Sequence, residues 1–142
     1  DRKLKKGDIV QFDIGCKKER YCSDFSRVHF FGPPDPRLKK LVPIVEEAKK
    51  AAEKITTQFI DLDQAARQVI KNHGYGPCFL HSVGHGLGLE IHEVPFVKQT
   101  PDLKLKEGMV FTIEPGIYLE GVGGVRLEDT YVMTKRGARA LV

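Results

Sequence analysis

Ile9–Cys16 (IVQFDIGC) and, four charged residues later, Tyr21–Phe31 (YCSDFSRVHFF) decide how this chain is read. Both stretches are rich in the β-branched and aromatic residues that suit a pleated strand, and Lys17–Arg20 is short enough to close a hairpin between them. Each strand carries an acid in mid-run, Asp13 and Asp24, where acidic residues are disfavoured. With Lys17–Arg20 as the loop, Cys16 pairs with Tyr21, and three steps back Asp13 falls opposite Asp24. Directly opposed strand residues share a face, with Cβ atoms about 4.5–5.5 Å apart. Two carboxylates at that spacing repel each other unless a cation lies between them.

A second hairpin repeats the device. Met109–Tyr118 (MVFTIEPGIY) and Val125–Met133 (VRLEDTYVM) read as strands around the glycine-rich turn Glu120–Gly124. A turn centred on Gly121 pairs Leu119 with Gly123 and sets Glu114 opposite Glu128. A single acid on a strand is more often a solvent-facing residue. Two opposed pairs flanked by apolar residues instead suggest four oxygen ligands converging on one site, provided neither register slips by one.

Between the hairpins, Gly32-Pro33-Pro34-Asp35-Pro36 breaks the strand. The spacing predicts a helix over Arg37–Ile55, with a kink or late start at Pro43. A second helix is predicted over about Leu62–Asn72, capped by Asp61 or Asp63 and stopped at His73-Gly74. Gly76–Leu89 reads as a glycine-punctuated loop and strand, and Thr100–Gly108 as a polar turn segment. Hairpin, helices, strand-loop and hairpin in that order make an α+β chain. Leu80–Pro95 (LHSVGHGLGLEIHEVP) holds three of the five histidines, His81, His85 and His92, with Gly84, Gly86 and Gly88 around the middle one. One histidine with four carboxylates is a mixed N/O set suited to Mn(II), Co(II), Fe(II) or Zn(II). His29 and His73 lack such context and read as structural or exposed.

At 142 residues the chain is long enough for one domain with a hydrophobic core. The net charge of +4 is spread along it, with clusters at Arg2–Lys6 and Lys17–Arg20, and reads as a solvated surface rather than a nucleic-acid footprint. No apolar stretch reaches the roughly 18–20 residues a membrane span needs. Three cysteines without CxxC spacing fit reduced thiols and a cytoplasmic location.

VQFDIG, YCSDFSR, HSVGHGLGLEIHEVP, FTIEPGIY and GVRLEDT, in this order from about Asp8 to Thr130, resemble the motifs of the pita-bread metallopeptidases. That family includes methionine aminopeptidase, Xaa-Pro aminopeptidase and Xaa-Pro dipeptidase (prolidase). The resemblance implies a pita-bread (creatinase/aminopeptidase) fold, a curved antiparallel sheet with flanking helices. It also implies two divalent metal ions, with Mn(II) favoured by ligand hardness and Co, Zn or Fe as alternatives. Asp13 would chelate one ion, Asp24 and Glu128 would bridge both, and His85 and Glu114 would bind the second. His81, four residues before His85, and Arg126, two before Glu128, resemble the proline-specific branch. His92 matches the histidine near the scissile peptide. Family members carry more chain upstream of the first metal Asp, so residues 1–142 are expected to be a catalytic domain incomplete at its N-terminus.

The implied reaction is hydrolysis of an Xaa-Pro bond of a proline-containing peptide by a hydroxide bridging the two ions. His92, or alternatively His81, would stabilise the oxyanion, Glu114 would shuttle the proton, and Arg126 would orient substrate or hold the ligands. The implied assembly is a homodimer of the full-length protein, acting without nucleic acid or membrane. The alternatives are a methionine aminopeptidase, which shares the five ligands and His92, a non-catalytic peptide- or protein-binding module on the same fold, and, ranked lowest, an amidinohydrolase.

Overall fold

A computed structural model describes residues 2–96 and 102–141 of the chain. The two helices that cover the sheet owe their packing to apolar residues at helical spacing. In α2 (Leu41–Glu53), Leu41, Val45, Ala48 and Ala52 are buried on one face; in α3 (Phe59–Asn72), Phe59, Leu62, Ala66 and Ile70 are. The helix expected from Arg37 is divided. A single turn, α1 (Pro36–Lys39), starts at Asp35, whose carboxylate accepts the Arg37 N–H at 2.8 Å, and α2 begins after Lys40. Pro43 has no N–H to offer the Lys39 carbonyl four residues back, so the helix starts late there. Helix α3 begins three residues earlier than expected. Its N-cap is Gln58, not Asp61 or Asp63; Asp61 lies at the third helical position and accepts the Gln58 N–H at 3.1 Å.

The first hairpin consists of β1 (Asp8–Ile14) and β4 (Phe25–Phe31), extended by the short pair β2 (Lys17–Lys18) and β3 (Tyr21–Cys22). Its register differs from expectation. Lys18 pairs with Tyr21 and Lys17 with Cys22, so only Glu19 and Arg20 form the turn, at φ 50° and 73°. Two-residue turns with positive φ match the twist of paired strands, and here they are made without the usual Asn or Gly. In consequence Asp13 faces Ser26, not Asp24. The slip is two residues, so both acids keep the same face.

A glycine-bearing turn after Leu119 closes the second hairpin as expected, with Leu119 facing Gly123. Its strands are β7 (Val110–Ile113) and β8 (Gly116–Leu119), returning as β9 (Gly123–Arg126) and β10 (Asp129–Thr134). Gly116 faces Arg126 and Ile113 faces Asp129, so Glu114 and Glu128 lie at matching positions between these pairs. With β5 (His85–Gly86), β6 (Glu93–Phe96) and β11 (Gly137–Ala140), the second hairpin builds a five-stranded antiparallel sheet in the order β11-β10-β7-β5-β6. Phe111, Ile113, Ile117, Val125 and Tyr131 from this hairpin meet the buried faces of α2 and α3 in one core. Of the expected turn segment Thr100–Gly108, Thr100 and Pro101 lie outside the described residues; Lys104 bridges to Gln58.

Candidate metal centre

Three of the four acids stand where a strand is interrupted. Asp24 lies in the gap between β3 and β4, Glu114 between β7 and β8, and Glu128 between β9 and β10. A ladder that lets go at a carboxylate frees the side chain to turn inward. At Gly15 an added Cβ would lie 2.0 Å from the Ser23 carbonyl oxygen, so a glycine is required for the two strands to close beside Asp24. Thr130 Oγ1–H donates to the Asp24 carbonyl at 2.7 Å and holds the gap against β10.

These acids and one histidine converge. Asp13, Asp24, His85, His92, Glu114, Arg126 and Glu128 line a pocket of about 280 Å³, together with Ile14, Gly15 and Ile91. Ligand atoms of Asp24, His85 and Glu128 all lie within 4.8 Å of one another, and all three residues are buried. His85 Nε2 is 3.7 Å from Asp24 Oδ2 and 3.5 Å from Glu114 Oε1. His85 Nδ1 lies 3.0 Å from the Gly86 carbonyl, which can only accept, so the proton sits on Nδ1 and the Nε2 lone pair points at the acids. Burial lowers the His85 pKa and keeps the ring neutral.

Burial also pushes the Glu114 carboxyl up to about 8, with the Glu128 charge adding to it. Glu128 is pushed up to about 7, again by burial first, against the opposing Ser26 hydrogen bond. Asp24 is raised by burial and by Asp13. The cation among them is Arg126. Its Nη2–H donates to Asp13, its Nε–H to Ser26 Oγ at 3.2 Å and its Nη1–H to the Tyr118 hydroxyl at 3.3 Å, and Nε is 3.8 Å from Glu114 Oε2. One guanidinium does not balance four clustered carboxylates. The donor set, hard oxygens plus one imidazole nitrogen with its lone pair presented, fits divalent ions.

The two remaining histidines separate. The His92 ring lies 4.2 Å from that of His85 and forms part of the pocket wall. His81 is outside the pocket lining and is linked to Arg126 of the site through Tyr118. Its Nδ1–H donates to the Ser82 carbonyl at 2.8 Å, and its Nε2 accepts the Tyr118 hydroxyl at 2.8 Å. Burial lowers its pKa and holds it in this neutral form.

Sequence reasoning missed Tyr118 and Ser26. Both were findable by strand alternation, since Tyr118 lies four residues from Glu114 and Ser26 two from Asp24. Gly116 and Gly124 make room for the Tyr118 ring: a Cβ on either would lie under 3 Å from it.

A carboxylate-rich, single-histidine donor set held by two hairpins of an antiparallel α+β fold defines the class as a candidate metalloprotein. The chain belongs to metallopeptidase family M24, whose family model matches residues 1–135. It is 45% identical over 144 residues to an Xaa-Pro dipeptidase of Pyrococcus furiosus, covering 99% of this chain and 41% of that protein. The structure superimposes on that of the prolidase from Pyrococcus furiosus with a TM-score of 0.94 at 45% identity, over 99% of this chain and 43% of that one. For the X-Pro aminopeptidase from Thermotoga maritima the values are 0.93, 42%, 98% and 40%. The fold is the pita-bread fold, and the chain spans about two fifths of the length of these relatives. Among the described residues no helix is long and apolar enough to cross a membrane.

Proposed function

We propose that this chain carries the metal centre of an exopeptidase that hydrolyses Xaa-Pro bonds, working with two divalent ions, of which Mn(II) is favoured. The reading is carried by the convergence of Asp13, Asp24, His85, Glu114 and Glu128 on one pocket, with His92 in its wall. It is supported by the relatives, an Xaa-Pro dipeptidase and an X-Pro aminopeptidase. Two bound ions would supply an acidified water as nucleophile and a Lewis acid for the scissile carbonyl. In this assignment Asp13, Asp24, His85, Glu114 and Glu128 would hold the two ions. Glu114 takes the proton from the attacking water and passes it to the prolyl nitrogen, a poor leaving group unless protonated. His92 donates to the carbonyl oxygen as charge develops there. Arg126, committed to Asp13, Ser26 and Tyr118, serves by holding the ligands rather than the substrate. His81, with both ring nitrogens engaged, supports Tyr118 from behind.

The same reading makes the full-length protein a cytoplasmic homodimer; the free thiols Cys16, Cys22 and Cys78 accord with that compartment. The test is hydrolysis of Gly-Pro, Gly-Pro-Ala and Met-Ala-Ser by the full-length protein, with Mn(II) and after chelation. Cleavage of the proline peptides alone, abolished by chelator, is the expected result. The choice between Gly-Pro and Gly-Pro-Ala separates dipeptidase from aminopeptidase. Cleavage of Met-Ala-Ser alone would instead assign a methionine aminopeptidase, and chelator-indifferent peptide binding without turnover a binding module. Glu114→Gln is expected to lower kcat by about 100-fold or more; near-normal turnover removes its assigned role.

A further inference from the structure

The two hairpins meet along a seam that runs through the metal centre. Ser26 and Glu128 face each other across it, exchanging backbone hydrogen bonds at 3.4 and 3.1 Å. Arg27 clamps the seam from outside. Its Nη1–H groups donate to the Glu128 and Ser26 carbonyls, and its Nη2–H to Asp129, whose other oxygen takes the Lys49 ammonium from α2. These contacts fix the backbone at Glu128. Its side chain depends on a different group: the Oγ–H of Ser26, a residue with no exposed surface, donates to Glu128 Oε2 at 2.6 Å. The same Oγ accepts Arg126 Nε–H at 3.2 Å.

We propose that Ser26 is a positioning residue of the metal centre, its hydroxyl fixing the Glu128 carboxylate in the orientation that serves the ions and tying it to Arg126. The inference rests on the metal-centre reading above. A hydroxyl has one proton and two lone pairs. A guanidinium cannot accept and an ionised carboxylate cannot donate, so the proton must go to Glu128 and a lone pair to Arg126. The direction of the chain Arg126–Ser26–Glu128 is therefore fixed, and the free lone pairs of Glu128 are left for metal. Without the hydroxyl, the buried Glu128 and the partly buried Arg126 each lose a partner, and the carboxylate is free to rotate. Groups that orient a ligand in this way typically contribute 10–100-fold in metal affinity. A serine acting only in packing makes a different forecast: its loss would lower the stability of the metal-free chain and leave metal affinity where it was.

The experiment is a calorimetric titration of the metal-free wild type, Ser26→Ala and Ser26→Thr with Mn(II), alongside Co(II) absorption spectra and thermal unfolding without metal. Ser26→Ala is expected to weaken Mn(II) binding by about 10–100-fold and to alter the Co(II) spectrum. Ser26→Thr, which keeps the hydroxyl, is expected to bind close to wild type. Unchanged affinity in Ser26→Ala, or equal losses in the Ala and Thr variants, overturns the inference while leaving the metal-centre reading intact. A wild type that takes up no Mn(II) overturns both. If Ser26→Ala does not fold, Ser26→Cys carries the same test, since it keeps the volume and substitutes a weak donor.

Discussion

The two hairpins supply two carboxylates each, yet they are built differently. The second is part of the core: Phe111, Ile113, Ile117, Val125, Leu127, Tyr131 and Met133 are all buried beneath it. The first gives the core only the partly buried Ile9, Val28 and Phe30, and exposes Phe12, Ile14 and Phe31 on its other face. The ligands follow only in part, since Asp24 on the first hairpin is buried and Glu114 on the second is partly buried; the extremes are Glu128 and Asp13. Glu128 is 2% exposed, whereas the Asp13 side chain is 53% exposed. The second hairpin thus grows directly out of the core, and the first is docked onto it through Ser26–Glu128, Arg27–Asp129 and Thr130–Asp24. One half of the site is an outgrowth of the core, and the other is positioned by polar contacts across a seam.

Stability is where this asymmetry should show most. Phe111→Ala is expected to cost about 3–5 kcal/mol, as other buried phenylalanines do. Phe12→Ala, at a half-exposed position on the first hairpin, is expected to stay within about 0.5 kcal/mol. Urea denaturation of the metal-free chain measures both. Comparable losses would show that the first hairpin is a full member of the core and break the comparison.

A smaller effect lies in the pH dependence of the metal-free chain. Glu114 and Glu128 are raised from the ordinary 4.5 to about 8 and about 7. The folded state therefore binds their protons more tightly than the unfolded one. Their contribution to stability is fully present below about pH 4.5 and is lost as pH rises through 7 to 8. The unfolding midpoint should fall over that window, and Mn(II) should reverse the fall by replacing protons. Glu128→Gln should flatten the slope and raise midpoint stability near pH 8. A slope unchanged in Glu128→Gln would mean that this acid is not desolvated as its burial indicates.

How much of this was legible in the sequence follows the same division. The second hairpin could be read almost completely, because Gly121 and Gly123 mark the turn and a marked turn fixes every pair behind it. The face carrying Asp13 and Asp24 was legible too, since alternation survives a slip of two. The pairing of Asp13 with Ser26, in place of the expected Asp24, was not, because Glu19 and Arg20 carry no mark of the positive φ they adopt. The strand interruptions at Asp24 and Glu128 were hidden as well, whereas Pro115-Gly116 marks the one at Glu114. At Asp24 and Glu128 the chain is held instead by the other hairpin, through the Ser26–Glu128 bridge and the Thr130–Asp24 bond, which local sequence does not see. His81 illustrates the same limit: spacing brought it near His85, but only the fold sets it behind Tyr118.

The smallest prediction sharpens the comparison at the turns themselves. Gly121 has φ 69° and Arg20 φ 73°, the same left-handed region occupied by a glycine in one hairpin and a long side chain in the other. For an L residue that region costs about 1–2 kcal/mol. Glycine removes this cost but loses about 0.5–1 kcal/mol to the greater freedom of its unfolded chain. The balance favours glycine by about 0.5–1 kcal/mol, so Glu19→Asn combined with Arg20→Gly should stabilise the chain by about that much. Gly121→Ala should destabilise it by a similar amount; its added Cβ meets open space, so backbone conformation alone sets the cost. Both turns lie away from the pocket lining, so Mn(II) affinity should stay at the wild-type value in each variant. A double variant no more stable than wild type would show that Glu19 and Arg20 are held by contacts beyond the turn. A double variant that is more stable but binds Mn(II) more weakly would show that the turn, and not the seam at Ser26, sets the position of Asp13 and Asp24.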